Sequence, residues 1–186
     1  MEKSSNQTKS SKPMYVCQRG DTTISILPTG LRYGVVAIRL QHKEDEKTKK
    51  LQCKIKISRI SALDYSAPAG TVIAEAVDII PPEACAKIGY RDDNKGYARA
   101  LSVTMLDDSQ VQIMIICTLC GRDDEGHICS IGQYNHTEKI ILTVDDVKEM
   151  VRIIQLAYEA ELASAEKRKP QRQYRDSKKG GCVHDG

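Results

Sequence analysis

The sequence contains no Phe and no Trp, and its only aromatic side chains are eight Tyr. Pockets walled by aromatic rings, and ring platforms on which unpaired bases stack, are therefore not expected. Ile, Val, Leu, Ala and Met must fill the core. Long apolar runs are also missing: the strongest, Val111 to Cys120, is far short of the ~20 residues that cross a bilayer as a helix. The start, MEKSSNQTKSSKP, has no apolar stretch of the kind a secretion signal needs. Residue 2 is Glu, and Cys182 stands five places from the last residue where a prenylation box needs four, so no lipid attachment is signalled. Neither GxxxxGK[ST] nor GxGxxG occurs, and RDDEG at 122–126 lacks the ligand spacing of a calcium loop. Any membrane contact is expected to be peripheral.

What is present suits one domain of ordinary size. The chain has 186 residues, 40% of them apolar, which is enough for one core and too little for two unless both are small. The formal charge of +3 is unevenly placed. Residues 1–13 carry +2, residues 166–179 carry +5 and residues 180–186 carry −1, which leaves −3 on residues 14–165. Basic charge at the ends of a mildly acidic body suits flexible arms that seek phosphate, on nucleic acid or a membrane surface. Cysteines stand at positions 17, 53, 85, 117, 120, 129 and 182. An odd number without a secretion signal points to reduced thiols in the cytosol or nucleus.

Local patterns divide the chain. Residues 1–13, rich in Ser, Lys, Asn and Gln, are expected to form a disordered polar arm. Thr22–Leu27 and Leu31–Leu40 read as strands around a Pro28-Thr29-Gly30 turn. From Leu51 to Ser58 the alternation is clear, with Leu51, Cys53, Ile55 and Ile57 on one face, as in an antiparallel strand with one wet side. The charged stretch HKEDEKTKK at 42–50 reads as a long solvated hairpin loop. Residues 65–71 read as a linker, Val72–Ile80 as a further apolar run, and Pro82 as the start of a short helix through Ala86. Gly89–Gly96 is polar and reads as an exposed loop. Leu101–Leu106, Val111–Cys120 and His127–Ile131, separated by Asp107-Asp108-Ser109 and Gly121–Gly126, read as a three-strand meander.

The last element is the clearest helix. Thr143 is a ready N-cap, and Asp145 and Asp146 sit where the helix dipole favours negative charge. Val147, Met150, Val151, Ile154, Tyr158 and Leu162 then recur as one apolar stripe. The stripe ends near Ala165, and Pro170 is expected to stop the helix. The fold class expected is α+β: an antiparallel sheet of about five to seven strands packed by a C-terminal helix. A single domain at 14–165 would lie between the arm at 1–13 and a basic disordered tail at 166–186.

Four constellations could carry chemistry. Cys117-x2-Cys120-x8-Cys129-x6-His136, with His127 as an alternative fourth ligand, has donors suited to tetrahedral zinc. Its CxxC lies at the end of an apolar strand, however, where buried thiols are the simpler reading. Cys129 with His136 lacks the glycine-rich elbow and orienting acid of a nucleophile site. The acid pairs Asp92-Asp93, Asp107-Asp108, Asp123-Asp124 and Asp145-Asp146 fall at turns or the helix cap and read as solvated. No catalytic residue, no small-molecule substrate and no cofactor besides zinc is expected. Most weight falls on Lys167, Arg168, Lys169, Arg172, Arg175, Lys178 and Lys179, a cluster fit to neutralise phosphates or to serve as a nuclear import address.

The layout resembles that of the small matrix proteins of plant rhabdoviruses: a 20.7 kDa, slightly basic chain with a polar N-terminal arm, one α+β domain and no catalytic motif. The resemblance implies a structural component of the virion, self-associating and non-enzymatic. Such a protein bridges or condenses the nucleocapsid at the membrane, with nucleocapsid protein or RNA and an anionic membrane surface as partners, and passes through host cytoplasm and nucleus. The PPxY budding motif of animal rhabdovirus matrix proteins is missing, since Pro81-Pro82 continues Glu83-Ala84, and Ser66-Ala67-Pro68 lacks the leading Pro of the other budding motif. Two other classes remain open: a nucleic-acid-binding regulator such as a viral silencing suppressor, and a cellular adaptor that adds a partner strand to an exposed sheet edge.

Overall fold

Alternation of aliphatic and polar side chains along extended segments determines most of this structure. The computed structural model describes residues 12–44, 47–87 and 96–179, and within them side chains other than those of residues 44, 47, 83, 86–87, 131–135 and 168–179. In chain order the elements are β1 (Tyr15–Arg19), β2 (Thr22–Leu27), a 3-10 turn at Leu31–Tyr33, β3 (Val35–Glu44), β4 (Lys47–Lys56) and α1 (Ile57–Ser61). These are followed by β5 (Val72–Ile80), α2 (Pro82–Lys87), β6 (Gly96–Met105), β7 (Gln110–Arg122), β8 (Ile128–Thr143) and α3 (Val144–Lys179).

The α+β class is as expected, with antiparallel strands and one long C-terminal helix. The strands form two four-stranded sheets, β1-β2-β3-β4 and β5-β6-β7-β8, rather than one. Each sheet is a meander in chain order, so each can form from local hairpins. Two sheets are needed because each has one aliphatic face to bury. Ile24, Ile38 and Ile55 of the first sheet share a single core with Val103, Ile113 and Ile140 of the second. Burying each such side chain contributes roughly 1.5–3 kcal/mol.

Several expected features differ. The strands expected over Leu31–Leu40 and Leu51–Ser58 give way to the 3-10 turn at Leu31–Tyr33 and to α1 from Ile57. The stretch 42–50 is not a long loop. The ladder continues through it as His42↔Lys49, Lys43↔Thr48 and Glu44↔Lys47, because backbone pairing needs no apolar side chain and a charged hairpin end can stand in water. β8 runs on from Ile128 to Thr143, well past the expected end at Ile131, with register Cys117↔His136 through Val111↔Leu142. Finally, α3 does not end near Ala165 but continues as backbone helix to Lys179. Pro170 withdraws one donor, from the carbonyl of Glu166, while the Glu, Lys, Arg and Gln around it are strong helix formers. The expected loop at 89–96 lies outside the described residues except for Gly96, as do residues 1–11 of the expected arm and residues 180–186 of the expected tail.

The expected turns and caps are in place. Asp107 Oδ1 accepts hydrogen bonds from Ser109 N and Oγ, each at 2.8 Å. At the start of α3, Asp146 N donates to Thr143 Oγ1 at 3.1 Å, and Thr143 N donates back to Asp146 Oδ2 at 3.0 Å, which forms a reciprocal capping box. Arg19 of β1 adds a 2.6 Å ion pair to the same carboxylate. Val147, Met150, Val151 and Ile154 are buried in the shared core and Tyr158 packs against it. Leu162, expected in the same stripe, is exposed, because the helix has left the body by that point. At Gly96 a side chain is excluded, since a Cβ there would fall on the carbonyl oxygen of Ile80.

Candidate anion-binding cavity

Cross-strand register groups the inward side chains into rows. In the first sheet Ile26↔Ile38↔Cys53 and Ile24↔Leu40↔Leu51 are apolar, and the next row is Thr22↔His42↔Lys49. In the second sheet Met105↔Val111↔Leu142 and Val103↔Ile113↔Ile140 are aliphatic. Leu101↔Ile115↔Glu138 brings in the first charge, and Arg99↔Cys117↔His136 follows. The alternation that points Leu51, Leu101, Ile115 and Ile140 into the core thus continues, with changed chemistry, at Lys49, Arg99, Cys117 and His136.

These polar positions surround a cavity of about 330 Å³, whose walls also include Lys50, Leu51 and Tyr97. Lys49 and Lys50 are exposed, Arg99 is half-buried and Cys117 is buried. Arg99 Nη1 donates to the carbonyl oxygen of Gln52 at 3.3 Å. Arg99 Nε is buried without a hydrogen-bond partner. His136 Nε2 stands 3.0 Å from Glu138 Oε1, and Glu138 is itself buried. In the first sheet Thr22 Oγ1 and His42 Nδ1 are 3.1 Å apart. Among the described residues no carboxylate lines the cavity, whereas Lys49, Lys50, Arg99 and His136 do. Such an arrangement can hold an anion. A larger cavity of about 560 Å³ lies between α3 and the 3-10 turn, but it sets Lys56 against Glu159 and contains no unpartnered buried polar atom.

The cysteines named for zinc are only partly brought together. β7 pairs with β6 without a break through Thr118–Cys120, and the extra residues of the irregularity opposite belong to β8. Cys117 and Cys120 therefore stand three apart on a regular strand and do not share a face, though both are buried. His136 lies opposite Cys117, while Cys129 lies opposite Gly121. Burial pushes the Cys120 thiol up, and Cys85, Cys117 and Cys129 push the same way. Among the described residues no group of three or more His, Cys, Asp or Glu side chains is arranged to hold a metal ion. His127 is in the turn before β8, 3.4 Å from Glu125.

Of the basic cluster, Lys167 is exposed, and Arg168, Lys169, Arg172, Arg175, Lys178 and Lys179 lie on the backbone of α3 with side chains outside those described. Sequence reasoning missed Lys49 and Arg99. The available signal was their place two residues beyond inward-facing Leu51 and Leu101. No family model, curated protein or solved structure matches this chain. Among the described residues no helix is long and apolar enough to cross a membrane.

Proposed function

We propose that the protein is a non-enzymatic assembly protein of the matrix type, which self-associates and bridges or condenses a nucleocapsid at an anionic membrane surface. The observation that carries this reading is the continuity of α3. One helix is rooted in the core by Val147, Met150, Val151 and Ile154 and runs on to Lys179. It carries Lys167, Arg168, Lys169, Arg172, Arg175, Lys178 and Lys179 beyond the body. Cations grouped on such an arm neutralise several phosphates at once and release their counterions. β5 is an edge strand with Val72, Val77 and Ile79 exposed, which supplies an apolar surface for self-association. The protein would then act in the virion and in host cytoplasm and nucleus, peripheral to the membrane. The polar end of the core gathers Lys49, Lys50 and Arg99 around a cavity, which supports a binding role.

The test is sedimentation and co-pelleting of the full chain, and of a chain cut after residue 165, with RNA and with anionic vesicles across a salt series. Large assemblies, and binding with a steep salt dependence that the cut chain loses, are expected. Tight binding of short RNA duplexes without assembly would instead favour a nucleic-acid-binding regulator. A monomer that ignores both RNA and vesicles would leave a protein-binding adaptor.

A further inference from the structure

We infer that the cavity bounded by Lys49, Lys50, Arg99 and His136 is a binding site for a single phosphate group, free or on a small molecule, and is separate from the basic arm of α3. Its volume of about 330 Å³ is near the lower end of the roughly 300–1,000 Å³ typical of small-molecule sites. It suits a compact oxyanion.

Arg99 is the centre of the site. Its Nη1 is fixed by the carbonyl of Gln52 at 3.3 Å, which orients the guanidinium plane. Its Nε is buried and unpartnered. That donor has no accessible surface while the cavity is empty. A small pivot about the Nη1 bond brings the Nε and Nη2 edge, which matches two oxygens of a tetrahedral anion, to face the cavity and relieves the cost of an unused, desolvated donor. Lys49 and Lys50 bring positive charge from β4 of the other sheet, so the two sheets together supply the cations. Other charged groups packed near the cavity set its limits. Glu138 is engaged with His136 at 3.0 Å, and Asp78 is the register neighbour of Arg99 on β5. Neither carboxylate lines the cavity, so the surface that the described residues offer to a ligand is cationic.

The test uses the full chain titrated with inorganic phosphate, with chloride at equal ionic strength as the control, followed by NMR of arginine Nε–H groups and by thermal unfolding. One phosphate per chain should saturate the Arg99 Nε–H signal and raise the unfolding temperature. Arg99→Gln should abolish both effects. Arg99→Lys, which keeps the charge but loses the fork, should weaken binding tenfold or more, and Lys50→Gln should weaken it several-fold. A full-length variant with Arg172, Arg175, Lys178 and Lys179 changed to Gln should bind phosphate as tightly as the parent, which separates this site from the arm. The inference is overturned if the parent's Arg99 signal does not move, or if Arg99→Gln folds and still binds. It is overturned equally if the arm variant loses the binding. The parent's NMR response decides the matter even if Arg99→Gln fails to fold.

Discussion

The inward faces of the two sheets hold two regions built on one backbone pattern and differing in what the side chains do. In the aliphatic rows, Ile24, Ile38, Leu40, Ile113 and Leu142 are fully buried or nearly so and satisfy nothing but one another. In the row that follows, Arg99, Cys117 and His136 keep the same register and inward direction, yet they enclose space, and one donor there has no partner. The first region gives stability and offers no chemistry. The second offers chemistry and gives up packing. Strand geometry does not distinguish them; side-chain identity at every second position does.

The sharpest way to break this comparison is to truncate one residue in each region. Ile113 is fully buried between β6 and β8 partners, so Ile113→Ala should cost about 2–5 kcal/mol, the lost transfer energy plus that of the cavity left behind. Arg99→Met removes a half-buried charge whose Nε is unused and gives up one bond to the Gln52 carbonyl, so it should cost about 1 kcal/mol or less. Urea unfolding should place the Ile113→Ala midpoint well below the parent and the Arg99→Met midpoint close to it. Equal losses would mean that the polar row is as structural as the aliphatic rows.

A smaller effect separates the rooted half of α3 from both rows. Burial alone would raise the Asp146 carboxyl, but hydrogen bonds from Thr143 and the Arg19 guanidinium win and hold it below the ordinary carboxylate range. A carboxyl depressed in the folded state adds stability that is fully present above its unfolded pKa, about 4, and is lost as pH falls through the folded value. Thr143→Ala should cost about 1 kcal/mol at neutral pH. It should also flatten the decline in stability below pH ~4, where parent and variant should converge. Chemical denaturation repeated at several pH values measures both.

Much of this structure is legible in the sequence, and what is not has physical causes. Thr143 and the stripe from Val147 to Tyr158, the Asp107 turn, the Pro82 helix and the alternation from Leu51 as far as Lys56 are local signals, and the structure reproduces them. The split into two sheets depends on which face meets which, a property of contacts distant in sequence. The hairpin at 42–50 was hidden because its charges look like loop even where the backbone pairs. Past Pro170, the residue that usually ends a helix is followed by strong helix formers. Of the candidate cavity, Cys117 and His136 had been singled out, but as part of a zinc set with Cys120 and Cys129. Their true relation is cross-strand register, which the irregularity between Thr118 and Cys120 prevents spacing alone from predicting. Arg99 and Lys49 were legible only by continuing an alternation one step past the last apolar residue, where polarity is usually taken as the end of the core.

Thiol chemistry sharpens the same contrast without perturbing either region. Cys53 lies in an aliphatic row, opposite Ile38, and is fully buried. Burial, reinforced by Asp78, pushes its thiol up to about 11, against about 8.5 for a free cysteine. Since the thiolate is the reacting species, its rate with an alkylating reagent at pH 8 should fall by roughly 100-fold or more from the shift alone, before access is considered. Cys17 and Cys129 are half-buried and so more open to the reagent. Pulsed alkylation of the native protein with peptide mass spectrometry should therefore mark Cys17 and Cys129 early and Cys53 only after denaturant is added. Early marking of Cys53 would mean that the rows around it open on the timescale of the pulse. The aliphatic region would then be no tighter than the polar one, and the difference in stability predicted for Ile113→Ala should shrink with it.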